Sequence, residues 1–285
     1  MRGGAQSHLM RCSDGNYYVV KFQNNPQHRR VLVNEMLGTR MASRLGLPTA
    51  PVAVVQVQEE LIRLTPELCI ELPRSRTPCQ PGLQLASRHP GDPRQLTLHD
   101  FLPDEKLREV GNLHDFAGML VFDKWTCNTN GRQTLFFEQR KLTSRRGWSD
   151  LREPDPPDLH PPDLDAPDPD LPNPVRNGDD RSGLLLQCRR MDLSRCAAAG
   201  LYARNRVYEG VTSLDSFAPW LERLQHGITA RALSEAAGEI PPEWYDDDYD
   251  AVLQLLEKLE KRKTRVPELI VSAKETTRQP FPFWS

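Results

Sequence analysis

The chain has 285 residues, with 39 acidic and 37 basic side chains and a formal net charge of −2. This length suits one two-lobed domain or two small ones, and the balanced charge gives no indication of a nucleic-acid or membrane partner. No apolar run is long enough to cross a bilayer, and six scattered cysteines without a CxxC pair predict no zinc site and suit a reducing cytoplasm.

Strand and helix patterns alternate in the N-terminal part. Residues 17–22 (YYVVKF) follow a Ser-Asp-Gly-Asn turn and are β-branched and aromatic, as is typical of a strand. Residues 31–45 carry apolar side chains at three- and four-residue spacing, which predicts a helix with Gly46 at its C-terminal end. Residues 51–57 (PVAVVQV) predict another strand. Residues 73–95 hold five prolines and two glycines and predict a loop.

The rest of the chain has helical segments and one tract of a different kind. A helix is predicted over about residues 105–124. Residues 151–175 hold nine of the 25 prolines and six aspartates, so we expect this tract to be extended or disordered. Further helices are predicted at 216–225, 233–238 and 250–262, of which the last is amphipathic and is expected to pack on the larger lobe.

The first candidate site is the segment GGAQSH near the N-terminus, which includes Gly3, Gly4 and Ser7. Phosphate groups are bound by backbone N–H groups that approach closely, and glycine permits that approach. The segment is therefore a candidate phosphate loop. An exposed turn is the simpler alternative.

A possible ion pair is the second candidate. Lys21 lies between Val20 and Phe22 on an otherwise apolar strand, and Glu35 follows fourteen residues later on the apolar side of the predicted helix. A strand lysine and a glutamate of the next helix can form a buried pair, which in kinases orients the lysine toward the α- and β-phosphates of the nucleotide. Each residue taken alone more often has a structural role.

The third candidate is the polar loop that follows the helix of residues 105–124. Asp123, Asn130 and Gln133 lie in or beside this loop, and the strand-like segment TLFF follows it. Catalytic groups commonly lie on such loops between packed elements. An Asn-Gly turn that only joins a helix to a strand is the alternative.

Together these segments resemble the HipA-like kinases. The likeness rests on GGAQSHL with YVVKF, the helix with Glu35, PGDP followed by LHDFLP, FDKWTCNTNGRQ, and GLYARNRVYEG. It implies an α+β, two-lobed protein-kinase-like fold with a small β-rich N-lobe and a mostly helical C-lobe. The implied divisions are an N-lobe at 1–97, a hinge at 98–102, a C-lobe at 103–138 and 200–285, and a disordered or aberrant insertion at 139–199.

The resemblance also implies roles for the candidate residues. Gly3, Gly4 and Ser7 would contact ATP, with Lys21 and Glu35 as the ion pair. In the family, Mg²⁺ assists transfer of a phosphoryl group to a hydroxyl. The resemblance therefore suggests a bacterial cytoplasmic enzyme with a protein serine or threonine as its phosphoryl acceptor. Asp123, Asn130 and Gln133 would belong to the catalytic loop, and no metal ligand is assigned.

Two departures from the family pattern bear on activity. Asn130 stands where the pattern Asn-Thr-Asp-Gly has its catalytic aspartate. A side-chain amide cannot take up the proton of the substrate hydroxyl as a carboxylate can. The metal-binding aspartate is expected within 139–199. Codons for residues 184–200, read one nucleotide later, can give a family-like sequence, which indicates a compensated frameshift. The alternatives are therefore a catalytically dead pseudokinase that binds nucleotide or a partner, or a protein that uses only the fold.

Overall fold

A computed structural model describes residues 4–128, 134–137 and 200–284. They form a small antiparallel sheet in the N-terminal part and a set of helices in the C-terminal part. The predicted α+β class, with a β-rich N-terminal lobe and a mostly helical C-terminal lobe, is confirmed. No helix in these ranges is long and apolar enough to cross a membrane.

The strands lie before the helical part, apart from the last one. They are β1 (His8–Arg11), β2 (Tyr17–Lys21), β3 (Val52–Val57), β4 (Cys69–Leu72), β5 (Ser75–Pro78), β6 (Gly82–Arg88), β7 (Leu98–His99) and β8 (Phe136–Phe137). The main sheet has the order β1-β2-β6-β3, and every neighbouring pair in it is antiparallel. Strands β4 and β5 form a separate hairpin, and β7 pairs with β8.

The α-helices of the described residues are mostly short. They are α1 (Arg30–Arg44), α2 (Glu59–Leu64), α3 (Asp104–Leu107), α4 (Asp115–Thr126), α5 (Ala218–Glu222), α6 (Ala230–Gly238), α7 (Tyr249–Arg262) and α8 (Val266–Lys274). Short 3₁₀ helices lie at Asn205–Tyr208, Leu214–Phe217, Pro242–Trp244 and Lys263–Arg265, and a π-helical turn lies at Arg223–Gly227.

The prediction that residues 73–95 form a loop is wrong, because β5 and the central strand β6 lie within this range. The prolines flank β6 and leave its interior free, and Gly82 opens the strand with φ +107°. Leu85 and Ala86 are fully buried. The polar Gln84 is also buried, where it accepts a hydrogen bond from the backbone N–H of Gln23 at 2.8 Å. This buried amide disrupts the alternation by which a strand is recognised in a sequence.

Helix α1 lies between the sheet and the C-terminal helices. One large cluster of buried apolar side chains contains Leu32 and Met36 of α1, Leu85 of β6 and Leu233 of α6. A second cluster covers the opposite face of the sheet. It contains Tyr18, Val20, Phe22, Val57, Ile62, Leu68, Ile70, Cys79 and Ala86. The apolar face of α1 is thus buried on both sides, in a core that it shares with the C-terminal part.

The end of α1 follows the sequence prediction. Gly46 has φ +78°, the left-handed region that glycine adopts without steric cost. Its N–H donates to the carbonyl of Ser43 at 2.9 Å, and the N–H of Leu47 donates to that of Ala42 at 3.1 Å. These two bonds form a Schellman motif, which satisfies carbonyls that the helix end leaves open.

Arginines just before and along α1 form ion pairs with acidic residues of the C-terminal part. The pairs are Arg29–Asp246 at 2.8 Å, Arg30–Asp248 at 3.3 Å, Arg40–Glu239 at 2.8 Å and Arg44–Glu235 at 3.1 Å. Such partly exposed pairs contribute about 0.2–1 kcal/mol each. They therefore supplement the apolar packing of α1, which supplies most of its attachment.

The predicted single helix over 105–124 is also wrong. Helix α3 ends at Leu107, and α4 begins at Asp115 after a stretch of turns that contains Gly111 and Asn112, which favour turns. The predicted helix at 250–262 is confirmed as α7, whose Val252 and Leu255 are buried.

The other two tail predictions are confirmed less fully. Residues 233–238 lie within α6, whereas 216–225 is divided between a 3₁₀ helix, α5 and the π-helical turn. The expected insertion at 139–199 lies outside the described residues. The lobe boundaries and the hinge at 98–102 stay predictions. The hinge falls between the end of β6 and the start of α3.

We expect Gly118→Ala to destabilise the protein by about 1–3 kcal/mol, because α4 packs closely on Trp220. A Cβ atom at position 118 would lie 2.2 Å from Nε1 of this buried indole. Gly38→Ala in α1 is the matched control, since its Cβ would meet only Phe122 Cζ at an ordinary 3.8 Å. The control should be neutral or stabilise by up to about 1 kcal/mol through helix propensity. Urea denaturation followed by circular dichroism measures both, and equal stabilities would contradict the described packing of α4.

Candidate functional site

Lys21 and Glu35 form an ion pair between β2 and α1, in which Lys21 Nζ donates to Glu35 Oε1. Their side chains are only 7% and 11% exposed. In such a poorly hydrated place an ammonium group needs a compensating charge, which the carboxylate supplies. The pair that the sequence suggested is thus present, and the function of the two residues stays a prediction.

The alternation of side chains along β2 places Lys21 on the face of the sheet that is turned toward α1. Val20 and Phe22 belong to the apolar cluster on the far side of the sheet. Because successive side chains of a strand point to opposite faces, Lys21 points toward α1. Its strand partner Leu85 belongs to the cluster that contains α1.

A turn built around Asn25 fixes the path from β2 to α1. The Asn25 amide donates to the carbonyls of Phe22 at 2.9 Å and His28 at 3.1 Å. Its oxygen accepts from the backbone N–H groups of Gln27 at 3.0 Å and His28 at 3.1 Å. Asn25 thereby sets where α1 starts relative to Lys21. Asn25 was not among the predicted site residues, although the run Asn-Asn-Pro after a strand is a turn signal.

The structure describes the glycine segment from Gly4 onward, and Gly3 lies outside the described residues. Gly4 lies in a turn, where a Cβ atom would be 2.7 Å from Nε2 of Gln27. Ser7 is buried. Gly4 therefore lies close to the side chain of Gln27 in the loop that leads into α1.

Gln6 is a second residue that the sequence analysis did not single out. It has φ +48°, and its side chain donates to the carbonyl of Glu71 at 2.7 Å and accepts from the Glu71 N–H at 2.6 Å. These two bonds join the glycine segment to the end of β4. No local signal reveals this contact, because the two residues are 65 positions apart in the chain.

His8 is the first residue of β1 and follows the glycine segment directly. Its ring packs edge-on against Phe22, and its Nε2 lies 3.6 Å from Cys79 Sγ. Burial in these surroundings lowers the pKa of His8 below its ordinary value of 6.5. The folded protein therefore favours the neutral imidazole.

Asp123 lies in the last turn of α4 and is only 1% exposed. Its carboxylate accepts a hydrogen bond from Asn128 Nδ2 at 3.0 Å. Gly200, with φ +78°, lies so close that a Cβ atom on it would be 2.4 Å from Asp123 Cβ. This enclosure favours a structural role for Asp123 at the start of the loop. The predicted loop residues Asn130 and Gln133 lie outside the described residues.

Within residues 4–128, 134–137 and 200–284, no group of three or more His, Cys, Asp or Glu side chains is placed to hold a metal ion. The described residues therefore supply no metal ligand set, and the predicted ligand region at 139–199 is not among them.

We expect the stability of the protein to fall as the pH drops below about 6.5, in part because of His8. The unfolded chain binds a proton at this histidine more readily than the folded chain does, so acid favours unfolding. His8→Gln should make the free energy of unfolding less dependent on pH between pH 7 and 5. Urea titrations at several pH values measure this dependence, with the exposed His226→Gln as control. An unchanged pH dependence in His8→Gln would contradict the assignment.

Comparison with known proteins supports the sequence interpretation. Residues 1–136, just under half of the chain, match the family model described as HipA-like kinase. No curated protein matches the chain. A solved structure described as the Golgi casein kinase aligns with 12% identity and a TM-score of 0.41, over 100% of this chain and 76% of that chain. The likeness to HipA-like kinases that the sequence predicted is therefore confirmed for residues 1–136, the part that contains the glycine segment, Lys21, Glu35 and Asp123.

Proposed function

We propose that this chain is a HipA-like kinase domain that binds ATP and transfers its γ-phosphoryl group to a hydroxyl, with a protein serine or threonine as acceptor. The observation that carries the proposal is the buried ion pair of Lys21 and Glu35. It joins the two elements from which kinases hold the phosphates of ATP. The family match over residues 1–136 supports the same interpretation.

Each described site residue has a defined part in this proposal. Lys21 donates to the α- and β-phosphates, and Glu35 holds its ammonium group in place. The backbone N–H groups of the glycine segment, from Gly3 to Ser7, cover the phosphates. The two hydrogen bonds between Gln6 and Glu71 hold this segment at the end of β4.

Magnesium and the proton acceptor belong to the part of the proposal that rests on the sequence. Mg²⁺ would offset the charge that develops during transfer, and none of the described residues is assigned as its ligand. The loop from Asp123 to Gln133 would face the acceptor hydroxyl. Asp123 is enclosed, so we assign it the positioning of this loop.

A nucleotide-binding pseudokinase is the second candidate function, and Asn130 favours it. A side-chain amide cannot take up the proton of the acceptor hydroxyl, whereas a carboxylate can. In this case the glycine segment, Lys21 and Glu35 would still bind ATP, and the bound state would serve to engage a partner.

We expect Lys21→Ala to weaken binding of a fluorescent ATP analogue by roughly 10- to 100-fold, the effect of one lost charge-assisted hydrogen bond. Glu35→Gln should weaken binding less, because the lysine remains but loses its orienting charge. Lys261→Ala is the matched control, since Lys261 is exposed on α7 far along the chain from β2. Fluorescence titration measures the three affinities, and equal affinity of the wild type and Lys21→Ala would remove the nucleotide site from β2.

Turnover separates the two candidate functions. If the chain is a pseudokinase, the unmodified protein should show little ATP turnover or autophosphorylation with Mg²⁺. General-base catalysis contributes about 10²–10⁴-fold. The aspartates within 139–199 are also poor candidates for the metal ligand expected there. Asn130→Asp should then restore at most a trace. Robust turnover by the unmodified chain would establish the kinase and show that a different carboxylate accepts the proton.

A further inference from the structure

A cavity of about 480 Å³ opens at the end of the main sheet that is remote from Lys21. It lies between the turn that joins β1 to β2 and the residues that follow β6. Its lining includes Arg11, Asn16, Tyr17, Arg88, Asp92 and Arg94.

The lining carries an excess of positive charge. Three arginines face the cavity together with a single carboxylate, that of Asp92. The chain as a whole has a net charge of −2, so this excess is a local feature. Guanidinium groups bind phosphate and carboxylate groups through parallel N–H donors, which makes an anion the expected ligand.

Neutral groups orient two of the arginines. Arg88 Nη2 donates to Asn16 Oδ1 at 2.9 Å, and Arg94 Nη2 donates to the Tyr17 hydroxyl at 3.3 Å. Bonds to neutral oxygens position both guanidinium groups, and the nearby Asp14 carboxylate offsets part of the charge of Arg88. Asp92 lies 4.0 Å from Arg94 and offsets part of the charge of that arginine alone.

The nearby carboxylate of Asp14 is engaged within the turn. It accepts from the Asn16 N–H at 2.9 Å, from Asn16 Nδ2 at 2.8 Å and from the Tyr18 hydroxyl at 2.8 Å. These bonds fix Asn16, which in turn holds Arg88. The turn thus forms a prearranged wall of the cavity, and ordering an anion there requires little rearrangement.

The cavity is separate from the Lys21–Glu35 pair. Tyr17 and Lys21 are four residues apart on β2, so they share a face of the sheet. At about 3.4 Å per residue, their Cα atoms lie about 14 Å apart. Arg11 pairs with Tyr17 in the sheet and belongs to the same face. Arg88 pairs with Tyr18 and therefore belongs to the opposite face of the sheet. The cavity thus spans the end of the sheet, at a distance from Lys21 too long for direct contact with it.

We propose that this cavity binds a phosphate monoester, held by Arg11, Arg88 and Arg94. Its volume falls within the range of small-ligand sites and exceeds the needs of a phosphate group alone, so the rest of the ester is also accommodated. The proposal is independent of ATP binding at Lys21.

Isothermal titration of the full chain at low ionic strength tests the proposal, with inorganic phosphate, free phosphoserine and a phosphoserine peptide as probes. We expect all three to bind. Tighter binding of the peptide would identify a phosphorylated protein as the source, and equal binding would identify a small phosphorylated molecule. Arg88→Gln and Arg11→Gln should each weaken phosphoserine binding by roughly 10- to 100-fold.

Arg63→Gln is the matched control, because Arg63 pairs with Glu60 on the exposed side of α2, outside the cavity. Its phosphoserine affinity should equal that of the wild type. Lys21→Ala should also retain phosphoserine binding, so loss of the nucleotide site and loss of this site give different results. Absence of phosphoserine binding in the wild type, or equal affinities in Arg11→Gln, Arg63→Gln and the wild type, would overturn the proposal.

Discussion

Helix α1 can hold Glu35 beside Lys21 only because its apolar face is covered from two sides. The sheet covers it through Leu85, and the C-terminal helices cover it through residues such as Leu233. Burial of one large aliphatic side chain contributes about 1.5–3 kcal/mol, so Leu32 and Met36 alone outweigh the partly exposed arginine pairs around the helix. The apolar packing of α1 therefore determines where Glu35 lies relative to Lys21.

The ion pair itself is a poor source of stability. Removing an ammonium and a carboxylate from water costs several kcal/mol for each ion, and their attraction repays this only when the geometry is good. A pair of apolar residues would fill the same space at a lower cost. The presence of both charges at this point of the core is what the proposed role of Lys21 requires, and residues 1–136 match the HipA-like kinase model.

Local patterns in the sequence were enough to predict the elements whose formation depends on neighbouring residues in the chain. The apolar spacing of α1 and α7 and the glycine after α1 predicted these helices, and the spacing of Lys21 and Glu35 predicted their pairing. Strand β6 was missed because the five prolines and two glycines of residues 73–95 predict a loop, and Gln84, buried by its bond with Gln23 61 residues away, conceals the strand pattern. The contact of Gln6 with Glu71 was missed because the two residues are 65 positions apart in the chain. Buried polar residues of this kind take their meaning from partners that only the folded chain brings together.

The shared core around α1 also determines how the chain can be divided. A boundary at residue 97 separates the strands from the later helices along the sequence, yet it cuts through one continuous apolar cluster. A fragment that ends there would leave the buried side of α1 in contact with water. The sheet, α1 and the C-terminal helices therefore form one cooperative folding unit, in which loss of the helical part also releases the helix that holds Glu35.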